Sequence, residues 1–133
     1  MARDPVRAPD ISEAERLIME IVWATPEGAT VSGIRAGLPT GAWADSTLRT
    51  LIHRLTRKSV LVSERQATGG VIYRATLTRE AYVAAQAGGL VDRLFGGQVA
   101  SLVAHLVRSR SLTADERDRL RRLVAQLDAG DED

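Results

Sequence analysis

A chain of 133 residues with 44% hydrophobic and 26% charged side chains has the make-up of one folded domain, or of two small lobes that share packing. It contains no cysteine, which excludes disulfides, thiolate metal sites and cysteine nucleophiles. The net charge of +1 conceals a segregation: Thr30 to Leu77 holds seven basic residues and two acidic ones, a net +5, leaving −4 for the remainder, and a polyanion responds to that local field.

The opening M-A-R-D-P lacks the apolar region of a signal peptide, and no apolar run approaches the roughly 20 residues that span a bilayer. A cytoplasmic protein without membrane insertion is therefore expected. Residues 1–9, with two prolines and scattered charge, read as a flexible N-terminal arm. A first helix begins at Ser12, which forms an S-x-x-E capping box with Glu15, and Ile11 before it can staple onto the first turn. Ile11, Ala14, Leu17, Ile18, Ile21 and Val22 recur at helical spacing up to Trp23, and Pro26 and Gly28 end the run. Thr30 reads as the N-cap of a second, shorter helix with Val31, Ile34 and Leu38 inward, closed by Pro39-Thr40-Gly41. Trp43, a core or hinge aromatic, precedes a third helix that Asp45 or Ser46 can cap.

The third helix, S-T-L-R-T-L-I-H-R-L-T-R-K from Ser46 to Lys58, separates into two faces. Leu48, Leu51, Ile52 and Leu55 fall at i, i+3, i+4 and i+7, the stripe of a helix that buries one side. The opposite face carries Ser46, Thr50, His53 and Arg57, flanked by Arg49 and Arg54, with no acidic residue among them. Such a front suits a DNA major groove, although an ordinary solvated basic face has the same pattern. The neighbours favour the groove. After Lys58 the period shortens to about two: Val60 to Arg65 and Val71 to Leu77 read as strands, and Gln66 to Gly70 as the turn, with two glycines available for positive φ. Three helices followed by a hairpin make a winged helix-turn-helix, whose third helix enters the groove while the wing lies over adjacent backbone. Arg49, Arg54, Arg57, Lys58, Arg65 and Arg74 can supply phosphate contacts, and Ser46, Thr47, Thr50 and His53 can approach base edges or phosphates. Ser46, Thr47, Thr50 and Arg54 are the favoured sequence readers, and Arg57 and Lys58 the favoured phosphate grips.

From Thr78 onward the pattern is helical. Thr78 can cap a helix through Leu90, Val91, Leu94 and Phe95 to a break at Gly96-Gly97. A second helix holds Val99, Leu102, Val103, Leu106 and Val107; a third opens on a Thr113–Glu116 capping box and carries Leu120, Leu123, Val124 and Leu127. About 50 residues in three short helices bury too little to stand alone. Their stripes either close a single-chain core or face a second copy, for which Leu90, Leu94, Phe95, Leu102, Leu106 and the last helix's Leu120, Leu123, Val124 and Leu127 are the candidates. The expected division is thus an arm over 1–9, a winged helix-turn-helix over 10–77, a helical dimerisation region over 78–127 and an acidic, frayed tail over 128–133. The fold class is mainly α with a small β-hairpin wing.

His53 reads as an exposed polar contact and His105 as a partly buried core residue. With two histidines far apart and no cysteine, no metal site or cofactor is implied, and no catalytic constellation or glycine-rich phosphate loop stands out, so no enzyme is expected. The leading reading is a dimeric, sequence-specific DNA-binding repressor of palindromic operators; its rival is a winged-helix module that docks on an acidic partner protein.

The runs S-E-A-E-R-L-I-M-E-I-V-W, W-A-D-S-T-L-R-T-L-I-H-R-L-T-R-K, I-Y-R-A-T-L-T-R-E, L-F-G-G, S-L-V-A-H-L and L-T-A-D-E resemble, in order and spacing, the penicillinase repressor family, over about residues 10–127. The resemblance implies a homodimeric winged-helix repressor whose third helix enters the major groove, which carries a contact role onto Ser46, Thr47, Thr50 and Arg54, and whose C-terminal helices form the dimer. Copper-responsive members carry a C-terminal cysteine motif that is absent here, which argues against direct copper sensing. In β-lactam-responsive members a membrane sensor-protease triggers cleavage at an Asn-Phe bond; the matching stretch here is His105-Leu106, the region where proteolytic relief would act. Many members also have glycine after the helix-ending lysine and arginine at the wing's tip, where this chain has Ser59 and Gly70.

Overall fold

In the computed structural model, which describes residues 10–130, helix α1 (Glu13–Trp23) starts where its cap dictates. The Ser12 hydroxyl accepts from the Glu15 amide at 3.1 Å, and the Ser12 amide donates to the Glu15 carboxylate at 3.0 Å, which completes the capping box. The buried stripe of α1 is centred on Glu15, Ile18, Met19 and Val22. Leu17, expected inward, lies on the opposite flank of that stripe and is 37% exposed. Met19 takes the core position instead.

Helix α2 (Val31–Gly37) is capped by Thr30, whose hydroxyl accepts from the Gly33 amide at 2.9 Å, and it buries Ile34. Helix α3 (Asp45–Arg57) begins one residue earlier than expected. Its N-cap is Ala44, which has no side-chain acceptor, so neither Asp45 nor Ser46 caps it. Asp45 sits in the first turn and pairs with Arg35 of α2 at 2.8 Å. The core of this part joins Ile18, Met19 and Val22 of α1, Ile34 of α2 and Leu48, Leu51, Ile52 and Leu55 of α3 with Ala29, Val60 and Leu61. Trp43 packs half-buried against it.

The end of α3 shows how helix becomes wing. The amide of Ser59 bonds the Thr56 carbonyl and that of Val60 the Leu55 carbonyl, both at 3.0 Å, the paired bonds of a Schellman motif. The turn requires a left-handed residue, and Ser59 supplies it at φ +62°. It delivers Val60 and Leu61 into the core and starts strand β1 (Leu61–Arg65), which pairs antiparallel with β2 (Val71–Ala75) from Leu61 opposite Ala75 to Arg65 opposite Val71. β2 ends at Ala75, two residues short of the expected Leu77, and the Thr76 hydroxyl donates to the Ser59 and Val60 carbonyls just beyond it. The Gln66–Gly70 turn has both Gly69 and Gly70 at positive φ. Ala29 adds a bridge to Tyr73 through two backbone bonds, of 3.0 and 2.8 Å, so the wing has a third strand-like edge. Gly28 makes that approach possible: at φ +102° a Cβ there would lie 2.7 Å from Ile72 Cδ1.

Helix α4 (Arg79–Phe95) is capped by Thr78, whose hydroxyl accepts from the Ala81 amide. Its first turns are latched to α1 by the Arg79–Glu20 pair at 2.7 Å and by Trp23 against Tyr82, ring centroids 5.3 Å apart. Helices α5 (Val99–Ser109) and α6 (Ala114–Gly130) follow. The Thr113 hydroxyl caps α6 through the Glu116 amide, but Glu116 returns to that hydroxyl rather than to the backbone, so this box is half-formed. α6 continues to Gly130, three residues into the expected tail; the expected arm over 1–9 and residues 131–133 lie outside the described residues. The chain forms two compact units, one up to Gly89 and one from Leu90. In the second unit Val91 is the single buried apolar side chain among the described residues. His105, expected partly buried, is exposed and lies against Phe95 with ring centroids 5.9 Å apart. No single described helix is long and apolar enough to cross a membrane.

Glu15 is 2% exposed and the only buried charged residue among those described. Burial pushes its carboxyl up, but the Lys58 ammonium at 2.9 Å and the Ser12 amide and hydroxyl outweigh this and hold it below the ordinary 4.5. A carboxyl lowered in the folded state contributes stability that is present above pH 4.5 and lost as pH falls through its folded value. Thermal unfolding followed by circular dichroism between about pH 3 and pH 7 should therefore show a Glu15→Gln variant that is about 1–2 kcal/mol less stable at neutral pH and converges on the wild type in acid. Parallel curves would place the acid sensitivity elsewhere. Ser59 holds a left-handed backbone and uses only its backbone in the turn, so Ser59→Gly should raise unfolding stability in urea by about 1 kcal/mol with an unchanged m-value.

Candidate nucleic-acid interface

The geometry of the interface follows from which side of α3 is buried. Leu48, Leu51, Ile52 and Leu55 are between 0% and 7% exposed, so the remaining arc must face outward. Ser46, Thr47, Arg49, Thr50, His53, Arg54 and Arg57 are all exposed, and Thr56 is half-buried. The residues the sequence singles out on this helix share one solvent-facing surface.

Their hydrogen-bonding capacities differ. The Thr50 hydroxyl donates to the Ser46 carbonyl at 2.8 Å, one turn back. A hydroxyl has one proton, so Thr50 presents outward a methyl group and acceptor lone pairs only. It can accept from the amino group of adenine or cytosine, or touch a thymine methyl, but it cannot donate. Ser46 and Thr47 make no side-chain hydrogen bond among the described residues and keep donor and acceptor available. Because Ala44 provides no cap, the first amides of α3 also lack a side-chain acceptor, and the helix dipole adds partial positive charge there. Asp45 sits beside them, with its charge offset by Arg35.

The cations divide into two sets. Arg49, Arg54, Arg57 and Arg65 have no carboxylate partner among the described residues. Lys58 is committed to Glu15 at 2.9 Å and to the Asp10 carbonyl at 2.6 Å. Arg74 is committed to Glu64 at 3.1 Å and to the Pro26 carbonyl at 3.0 Å. Spacing along the sequence shows six basic residues but not their partners, because each partner comes from another element. Beside α3 a cleft of about 320 Å³ brings Arg49 and His53 together with Ser63 and Tyr73 of the wing, over a floor that includes Val31 and Ile52. Ser63 and Tyr73 were not singled out from sequence; strand alternation points them to a face without saying what that face meets.

The residues proposed for a second copy lie in α4 to α6. Leu94, Leu106, Leu123, Val124 and Leu127 are exposed, with Leu94 at 67% and Leu127 at 69%, while Leu90, Phe95, Leu102 and Leu120 are half-buried. His105 and Leu106 lie inside α5, in helical conformation.

The family model described as penicillinase repressor matches residues 11–126. The penicillinase repressor of Bacillus licheniformis is 23% identical over 121 residues, covering 90% of this chain and 93% of that protein. The transcriptional regulator BlaI of Mycobacterium tuberculosis is 31% identical over 126 residues, covering 90% of this chain and 86% of its own length. Among solved structures, the monomeric form of Bacillus licheniformis BlaI in complex with the blaP half-operator aligns with 57% of this chain and 92% of that one, at a TM-score of 0.49 and 23% identity. With the family model spanning nearly the whole of both units, the chain belongs to the penicillinase repressor family of winged-helix transcriptional repressors.

Proposed function

We propose that the chain is a cytoplasmic, homodimeric repressor without catalytic activity that binds palindromic operators, one α3 per half-site, with the wing along the adjacent backbone. The observation that carries this reading is the exposed arc of α3, where Arg49, Arg54 and Arg57 stand without carboxylate partners around Ser46, Thr47, Thr50 and His53. Ser46, Thr47, Thr50 and Arg54 read bases; Arg49, Arg57 and Arg65 hold phosphates. Lys58 and Arg74, expected from sequence to grip phosphate, are assigned structural roles because each already has a carboxylate and a carbonyl. Gel-shift titration against DNA upstream of the chain's own gene tests the reading. Specific binding should weaken steeply with salt, with the log–log slope reduced by about 1.8 in Arg57→Gln, one phosphate contact of about 0.9 from each half-site, and unchanged in Arg74→Gln. Equal affinity for operator and random DNA would instead favour docking on an acidic protein.

The apolar residues of α4 to α6 support the second copy. Leu94, Leu123, Val124 and Leu127 are more than half exposed, and a two-fold partner would cover them. Leu123→Asp should convert the dimer to monomer in sedimentation and weaken palindrome binding; an unchanged dimer would move the interface elsewhere. Relief by a membrane sensor-protease would act near His105-Leu106, and since that bond lies inside α5, cleavage requires local unwinding of the helix.

A further inference from the structure

Helix α4 buries one side chain toward each end, Tyr82 and Val91, and none between them. Tyr82 is 7% exposed, with its ring against Trp23 in the first unit, and Val91 is 8% exposed in the second. From Val83 to Leu90 no side chain is buried. The boundary between the two compact units falls within this stretch, after Gly89, where the sequence places two consecutive glycines, Gly88 and Gly89. Glycine is the poorest helix former apart from proline, because it gives up the most backbone freedom on ordering.

At Gly88 space does not explain the choice. A Cβ on Gly88 would meet no atom within 4 Å, whereas one on Gly28 would collide with Ile72. Gly88 also lies within regular helix, where any residue fits. What glycine supplies there is a weak point in the helical ladder, set between two anchors in a stretch without a buried side chain. Glycine pairs are among the recognised places where helices bend.

We propose that Gly88–Gly89 is a hinge that determines which separations of half-sites the repressor accepts. The inference rests on the dimer reading above. In a two-fold dimer each α3 must reach its half-site, and the separation of the two is fixed by the dimer region unless the connecting helix yields. A stiff α4 admits one spacing; one that bends at Gly88–Gly89 admits several. These glycines then act on operator choice without touching DNA.

The test is a parallel selection from randomised duplexes of about 40 base pairs, long enough for two half-sites at varied separation, using the full wild-type chain and Gly88→Ala. The wild-type pool should contain one half-site sequence at more than one spacing. The Gly88→Ala pool should contain the same half-site with the less favoured spacings depleted about fivefold or more, the factor set by the helix preference of alanine over glycine. Ala87→Gly should shift the distribution the other way. A single wild-type spacing, or superimposable distributions for wild type and Gly88→Ala, overturns the hinge. Sedimentation separates the remaining cases: a Gly88→Ala chain that becomes monomeric would mean that the glycine makes room for the second copy, which also overturns the hinge. A monomeric wild type would overturn the dimer reading and the hinge with it.

Discussion

The burial of one side of α3 is the constraint on which the rest of this molecule depends. Leu48, Leu51, Ile52 and Leu55 enter the same core as Ile18, Met19 and Val22 of α1 and Ile34 of α2. Fully burying a leucine or isoleucine contributes about 1.5–3 kcal/mol, so four such residues fix the helix's rotation about its axis far more firmly than any surface pairing does. Once that rotation is set, the outward direction of Arg49, Thr50, His53, Arg54 and Arg57 follows by geometry. The make-up of this exposed surface is a by-product of packing on the other.

Glu15 fixes the axial position as well. Its carboxylate completes the capping box of α1 and receives the Lys58 ammonium from the end of α3, so one buried charge ties the beginning of one helix to the end of another. A carboxylate removed from water must be matched, and here the amide and hydroxyl of Ser12 and the ammonium of Lys58 provide the match. The cost is that Lys58 is withdrawn from the basic surface. Arg74 is withdrawn in the same way by Glu64 and by the Pro26 carbonyl. The field of the winged helix is therefore weaker, and more sharply localised on α3, than its net charge implies.

The two units differ in how they meet the requirement for a core. The first buries a continuous cluster from α1 to β1. The second leaves α5 and α6 without a buried residue, although a cleft of about 320 Å³ between them is walled by Val103, Leu106, Val107, Leu120 and Leu123. Two short amphipathic helices cannot enclose their own apolar faces. On the proposed reading that deficit is met by a second copy, which gives folding of this unit and two-fold symmetry a common physical origin.

Much of this was legible in the chain alone because it is local. The Ser12–Glu15 box, the Thr30 and Thr78 caps, the stripe of α3, the change of period at Val60 and the glycine turn at Gly69–Gly70 all depend on neighbours within a few residues, and the winged-helix arrangement follows from their order. Spacing also placed Ser46, Arg49, Thr50, His53, Arg54 and Arg57 on one exposed arc. Only the tertiary structure decided what each of these groups still has to offer. Asp45 is taken by Arg35, Lys58 by Glu15 and Arg74 by Glu64, each pair joining two different elements, and Leu17 and His105 face water because the stripe of α1 and the second unit close elsewhere than periodicity indicates. Periodicity shows which residues share a face; what lies opposite that face depends on contacts between distant segments, and no local pattern encodes them.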